Sequence, residues 1–184
     1  DVVAGGRFLV GENDMLVFVD PADAPDGERV FLGEDVDATP YFAVTGPLPS
    51  VAGARQVNLR EAGQLLGARD AGLAVTAVAV VYWHAAHPYA PSTGRPTMAR
   101  DGGWVRTDDG GENLGPRTDL AVIMLVHVGG AGQEGRCLLG HNVAWASPGV
   151  RRFSCLAGFV EPGEPAEAAV AREVAEEVGA EADE

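Results

Sequence analysis

Three glutamates near the end of the sequence, Glu173, Glu176 and Glu177, stand at i, i+3 and i+4. On a helix that spacing sends all three carboxylates from one side. Like charges so placed repel by a few tenths of a kcal/mol per pair, and the last turns of a helix disfavour anions through the macrodipole. Arg172 is the local basic group that offsets them. A hard divalent cation such as Mg2+ would reverse both penalties, because it takes carboxylate oxygens together with water and phosphate. The three glutamates alone also fit a solvated acidic face. The loop before them shifts the balance: "GFVEPGE" (Gly158–Glu164) is a glycine-bounded turn that carries two more carboxylates, Glu161 and Glu164.

Other side chains weigh less. His84 and His87 in "WHAAH" could pose as a metal pair, but tetrahedral zinc needs four ligands. His127 and His141 flank apolar strands and read as structural or surface residues. Trp83, Trp104 and Trp145 could stack on a flat ring, although aromatics more often fill cores. Glu161 reads equally well as a metal-proximal group or a solvated turn residue. Cys137 and Cys155, the only cysteines, sit in apolar stretches without a C-x-x-C pair and are expected to be buried free thiols. The sequence has no Ser-His-Asp or Cys-His arrangement and no glycine loop of the phosphate-cradling kinds.

The elements that must position the glutamates are legible to different degrees. A helix is expected from Pro165 to Val178, with Glu164 as cap, Pro165 in the first helical position, Gly179 as terminator, and Val170, Val174 and Val178 as the buried stripe. Before it, Leu120–Val128, Arg136–Gly140 and Arg151–Val160 read as strands. Further upstream, Arg7–Val10, Met15–Val19, Arg29–Leu32 and Tyr41–Val44 suggest a small sheet. Asn58–Leu66 has helical spacing, with Leu59, Ala62 and Leu66 on one face. Gly72–Trp83 could be helix or buried strand, since its periodicity suits both. Residues 84–115 are rich in Pro, Gly, Asp and Thr and lack an apolar period, so they read as a connector or a small module needing a staple of its own. The terminal helix has little to follow it, and the sequence reads as a piece of a longer chain.

Composition restricts the function classes. The chain has 184 residues, 46% of them hydrophobic, and a formal net charge of −14. Such acidity argues against non-specific nucleic-acid binding, which needs clustered Lys and Arg. No segment approaches a membrane span, and without a basic stretch followed by an apolar run nothing suggests secretion. The expectation is a soluble cytoplasmic protein that engages neither DNA nor membrane.

Taken together, Gly158, Glu164, Arg172-Glu173-Val174, Glu176-Glu177, Gly179 and Ala180 resemble the Nudix box, G-x5-E-x7-R-E-U-x-E-E-x-G-U, in which U is apolar. Every fixed position matches, with Ala180 filling the last one weakly. The stretches "FSCLAGFVEPGE", "GPRTDLAVIMLV" and "ERVFLGEDVDATPYFAV" resemble the NADH pyrophosphatase (NudC-like) group of Nudix hydrolases, of actinobacterial type. The resemblance implies an α/β (α+β) fold: a Nudix α/β/α sandwich with a mixed sheet, preceded by a small α+β domain and a zinc-ribbon segment. The corresponding divisions are residues 1–83, 84–115 and 116–184, the last incomplete.

The same resemblance implies metal-dependent splitting of NADH or NAD into nicotinamide mononucleotide and AMP, and removal of NAD caps from RNA. Alternatives are hydrolysis of another nucleoside diphosphate such as ADP-ribose, or a Nudix-fold binding protein without catalysis. Glu173 and Glu177 are then metal ligands, Glu176 assists, and the backbone carbonyl of Ala157 also meets a metal. Glu177 accepts a proton from water, and Arg172 orients the cluster by pairing with Glu164. A homodimer is implied as well. The sequence departs from the group in three places. Ala90 and Thr93 stand where a C-x-x-C pair is expected, and no second pair occurs near Thr107–Gly110, so structural Zn2+ is not expected. Gly115 replaces the aromatic residue that usually precedes "PR". The group's S-Q-P-W-P-F-P-x-S array would fall beyond Glu184.

Overall fold

The computed structural model describes residues 2–130, 134–143 and 149–181. The chain divides into two compact units, Asp1–Pro116 and Arg117–Glu184. The architecture is α+β, with small sheets and few helices. Among the described residues, no helix is long and apolar enough to cross a membrane.

In the first unit, β1 (Val2–Val3), β4 (Pro40–Thr45) and β3 (Arg29–Glu34) form a mixed sheet in that order. The pair β1·β4 is parallel and β3·β4 antiparallel. A second ladder pairs β2 (Arg7–Gly11) with β5 (Ala54–Asn58). Met15–Val19, expected as a strand, is not one. Leu16 makes an isolated bridge to Val10, and its N–H donates to the buried carboxylate of Asp70 at 2.9 Å. Pairing with β2 stops there: Val17 N–H reaches the Leu9 carbonyl and Gly11 N–H the Met15 carbonyl, while the Leu16 N–H is taken by a side chain instead of a further strand. The expected helix from Asn58 shortens to α1 (Leu59–Ala62), opened by a capping box in which Asn58 and Glu61 satisfy each other's backbone N–H.

The ambiguous Gly72–Trp83 segment lies inside α2 (Ala68–Ala86). Ala74, Ala77, Val78, Val80 and Trp83 are buried and join Phe8, Val10, Val30 and Val57 in one core. The Pro/Gly-rich stretch that follows forms β6 (Thr97–Arg100), β7 (Val105–Asp108) and β8 (Asn113–Leu114), all antiparallel. Its fastening is polar. Asp108, 5% exposed, accepts from the Thr93 hydroxyl and from the N–H groups of Gly110 and Glu112. The Glu112 N–H bond leads in holding the Asp108 carboxyl below its usual range. Ala90 is buried beside this turn region, bonded through its N–H to Arg95.

In the second unit, β9 (Ala121–Met124) pairs antiparallel with β12 (Leu156–Phe159), and β10 (His127–Val128) with β11 (Arg136–Cys137). All three expected strands here are shorter than their apolar runs. Leu120–Val128 breaks into β9 and β10; Arg136–Gly140 and Arg151–Val160 keep only β11 and β12. Leu125, Leu138, Leu139 and Phe153 are exposed, so hydrophobicity at those positions does not report ladder pairing. Helix α3 (Ala166–Val178) packs on the sheet face formed by Val122, Met124 and Leu156. Burying Val174 there contributes about 1.5–3 kcal/mol. The buried stripe is Ala169 and Val174 with Val170 alongside; Val178 is exposed and lines a surface cleft. Pro165 is the N-cap rather than the first helical residue, and no side chain caps that end. Gly179 ends α3 at φ 66°, the left-handed geometry glycine accepts without strain.

Candidate functional site

The box loop is closed by its own glutamate. Glu164 N–H donates to the Glu161 carbonyl, and Glu161 N–H donates back to the Glu164 carboxylate, each at 3.0 Å. The side chain of Glu164 is therefore committed to structure, and its role as helix cap is replaced by this turn. Both its oxygens also receive the Arg172 guanidinium, from Nε and from a terminal nitrogen at 2.9 Å each. Such a fork is the strong, planar form of an Arg–carboxylate pair. The Arg172 hydrogen bonds, with the Glu161 N–H second, hold the Glu164 carboxyl down to about 2. Arg172 is raised in turn, first by Glu164 and then by Glu173.

Arg172 uses its remaining donors on the same neighbourhood. It bonds the Glu173 carboxylate at 2.9 Å and the Phe159 carbonyl at 2.9 Å, and lies 3.5 Å from the Glu176 carboxylate. Helix α3, the loop and strand β12 are thereby tied at one point. The three clustered glutamates consequently do not project as one group. Glu173 is only 14% exposed and turned against the strand; Glu176 is 62% exposed. Glu177 is exposed and has no ion-pair or hydrogen-bond partner among the described residues.

Gly158 explains part of this packing. A Cβ there would overlap the Glu173 carboxylate. Only a glycine lets that acid lie flat on the strand.

Strand register places Ala157. Val160 N–H donates to the Leu120 carbonyl directly opposite it, so Gly158 and Leu156 are hydrogen-bonded positions against Val122 and Met124. Ala157 and Phe159 then direct their backbone groups away from β9, and Arg172 takes the Phe159 carbonyl on that outer edge. Two residues earlier, Ala157 lines a cleft of about 350 Å³ together with Gly140, His141, Asn142, Ser154, Cys155, Glu177 and Val178. The cleft thus brings two of the sequence candidates, Ala157 and Glu177, to one surface. Glu173, Glu164 and Arg172 form the adjoining scaffold, and Glu176 lies at its exposed margin.

A carboxylate and a backbone carbonyl on one cleft are hard oxygen donors, the set that suits Mg2+ or Mn2+ rather than a thiophilic metal. Among the described residues, no group of three or more His, Cys, Asp or Glu side chains converges on a common point.

The remaining candidates separate clearly. His84 is 4% exposed; its Nε2–H donates to the Gly103 carbonyl and its Nδ1 accepts from Arg106. His87 donates to the Trp83 carbonyl. Trp83 is core, while Trp104 is partly exposed and donates to the Phe31 carbonyl. Trp145 lies outside the described residues. Glu161 serves the loop through its backbone, and His127 is exposed. Cys137 is exposed and Cys155 half-buried, against the expectation of buried thiols; short strands leave both near a surface. Two features escaped the sequence reading, one in the cleft and one beside it. His141 lines the cleft, and Phe159 is 68% exposed on the sheet face opposite α3. The alternation in "LAGF" was the available signal for Phe159, masked by the longer apolar run around it.

Comparison with known proteins finds two family matches along the chain. Residues 3–83 match the family described as "NADH pyrophosphatase-like rudimentary NUDIX domain", and residues 118–184 match the NUDIX domain. The chain is 37% identical over 183 residues to the "NAD-capped RNA hydrolase NudC" of Mycobacterium tuberculosis, covering 97% of this chain and 55% of that protein. It is 39% identical over 121 residues to the human "NAD-capped RNA hydrolase NUDT12", covering 60% and 25% respectively. The chain therefore spans about half the length, or less, of these relatives. With a rudimentary NUDIX-like domain and a NUDIX domain in the same order as the sequence motifs, the chain belongs to the NudC-like group of the Nudix family.

Proposed function

We propose that this chain carries the diphosphate-cleaving centre of an enzyme that hydrolyses NADH or NAD to nicotinamide mononucleotide and AMP and removes NAD caps from RNA. The single observation that carries the reading is that Ala157 and Glu177 line one cleft, beside the Arg172 fork. The names of the mycobacterial and human relatives support the substrate class.

Ala157, Glu177 and the neighbouring Glu173 and Glu176 would hold Mg2+ or Mn2+. When bound, the ion neutralises the diphosphate oxygens and lowers the pKa of a water. The protein's own part is positional and acid–base. Glu177, unpaired and exposed, accepts the proton as water oxygen bonds to phosphorus and the bridging P–O bond breaks. Arg172 and Glu164 fix the end of β12 and the middle of α3 so that Ala157 and Glu177 keep their separation. The exposed Phe159 ring offers a flat apolar surface for one base of the dinucleotide. The same reading assigns the enzyme to the cytoplasm and to a homodimer, the latter checked by light scattering on the purified protein.

Release of AMP and nicotinamide mononucleotide from NADH, followed by chromatography with and without Mg2+, tests the proposal. The expected result is metal-dependent formation of both products in equal amounts. Hydrolysis of ADP-ribose with NADH left intact would replace the substrate assignment, and no turnover of either would overturn the reading.

A further inference from the structure

We infer that His141 is a substrate-positioning residue of the cleft, donating from Nε2 to a phosphate oxygen of the bound diphosphate. The inference rests on the diphosphate reading above and deepens it.

The argument begins with charge. A diphosphate approaching this unit meets Glu161, Glu164, Glu173, Glu176 and Glu177, and the one cation among them, Arg172, is spent on Glu164, Glu173, Glu176 and the Phe159 carbonyl. Among the described residues lining the cleft, His141 is the only one whose side chain can carry positive charge. It sits in the cleft opposite in character to Glu177, which is an acid with no partner.

Geometry supplies the second half. The Nδ1–H of His141 donates to the Arg152 carbonyl at 2.8 Å, and the ring packs against Phe153 with centroids 5.5 Å apart. The ring is held at one nitrogen and on one face. Nε2 has no partner among the described residues and belongs to a side chain that lines the cleft. Donation from Nε2 to a phosphate oxygen, with Nδ1–H kept on the Arg152 carbonyl, uses both ring nitrogens as donors. An imidazole fixed through its other nitrogen by a backbone carbonyl is oriented before the ligand arrives, so little ordering remains to be done on binding.

Two conservative substitutions separate this contact from a packing role. Asparagine places its amide near the Nδ1 position and keeps the bond to Arg152. Glutamine places its amide near Nε2 and keeps the donor to the ligand. Binding of inorganic pyrophosphate in the presence of Mg2+, by calorimetry, and the kcat and KM for NADH are measured on wild type, H141N and H141Q, with Tm as a fold control. The expected result is about tenfold weaker pyrophosphate binding and a similarly raised KM in H141N, the loss of one charge-assisted hydrogen bond. H141Q should stay within about threefold of wild type for the same reason. Unchanged binding in both variants overturns the inference. So does a loss that follows Tm, larger in H141Q than in H141N. Should wild type fail to hydrolyse NADH while the two variants still differ in pyrophosphate binding, the NADH assignment falls and the imidazole contact stands.

Discussion

The carboxylate of Glu173 rests on Gly158, occupying the space a side chain at 158 would need. The relationship links the first glycine of the box to a glutamate on a different element. With glycine absent, Glu173 must leave the strand, and the Arg172 bonds that it shares with Glu164 and the Phe159 carbonyl are disturbed together.

Gly158→Ala is therefore expected to destabilise the second unit by about 1–3 kcal/mol, the usual range for overpacking. It should also lower kcat/KM for NADH by about a hundredfold, because displacing a positioning group by an ångström has that effect. Chemical denaturation and steady-state kinetics check the two numbers. Wild-type behaviour on both would mean that the Glu173–Gly158 contact is incidental.

Arg172→Lys keeps the charge and loses the fork. Lysine has no planar pair of donors to match both Glu164 oxygens while reaching Glu173 and Phe159. An activity loss of about a hundredfold, with the helix content of α3 retained, is the expected outcome. The fork also sets a pH dependence. The Glu164 carboxyl is depressed to about 2 from the usual carboxylate range, so its stabilising effect is fully present above that ordinary range and is lost only as pH falls toward 2. Carboxyl NMR should show Glu164 still ionised at pH 3.5 in wild type and protonating nearer its ordinary range in the lysine variant.

How much of this site the sequence made legible depends on what fixed each residue. The spacing of Glu173, Glu176 and Glu177 and the turn before them identified the box, since helix periodicity and a glycine-ended loop are local properties. The division of labour among the glutamates was hidden, because it depends on where Arg172 reaches across from α3 to β12. Strand extents were overestimated for a related reason: Leu125, Leu138 and Phe153 are apolar and exposed, so an apolar run does not measure a ladder. Met15–Val19 failed differently. The N–H of Leu16 is taken by Asp70, 54 positions away along the chain, and no local pattern announces such a partner. Gly72–Trp83 stayed undecided because alanine and valine occupy both its faces, Val75 and Tyr82 being exposed while Ala74 and Val78 are buried.

His84 gives the first unit its own pH response. Burial is the leading cause that lowers its pKa, opposed by Glu28 and by the Gly103 carbonyl, with Arg106 lowering it further. Folded protein thus keeps the neutral ring that donates to Gly103 and accepts from Arg106. The unfolded chain binds a proton near the ordinary histidine value of about 6.5, so stability is present above that value and declines as pH falls below it. Thermal unfolding between pH 7.5 and 5 should show a falling midpoint in wild type. A His84→Gln variant, with no titrating ring, should show a shallower slope. Equal slopes would remove His84 as the cause.

The account as a whole depends on Glu177 and the Ala157 backbone forming one cation-binding surface, with Arg172 and Glu164 as its brace. Mn2+ binding by wild type and by Glu177→Gln, read from the loss of the free-ion electron paramagnetic resonance signal, tests that dependence most directly. The account predicts a saturable site in wild type and its loss or severe weakening in the variant, with circular dichroism unchanged. Equal saturable uptake by both proteins, or none by wild type, would contradict it.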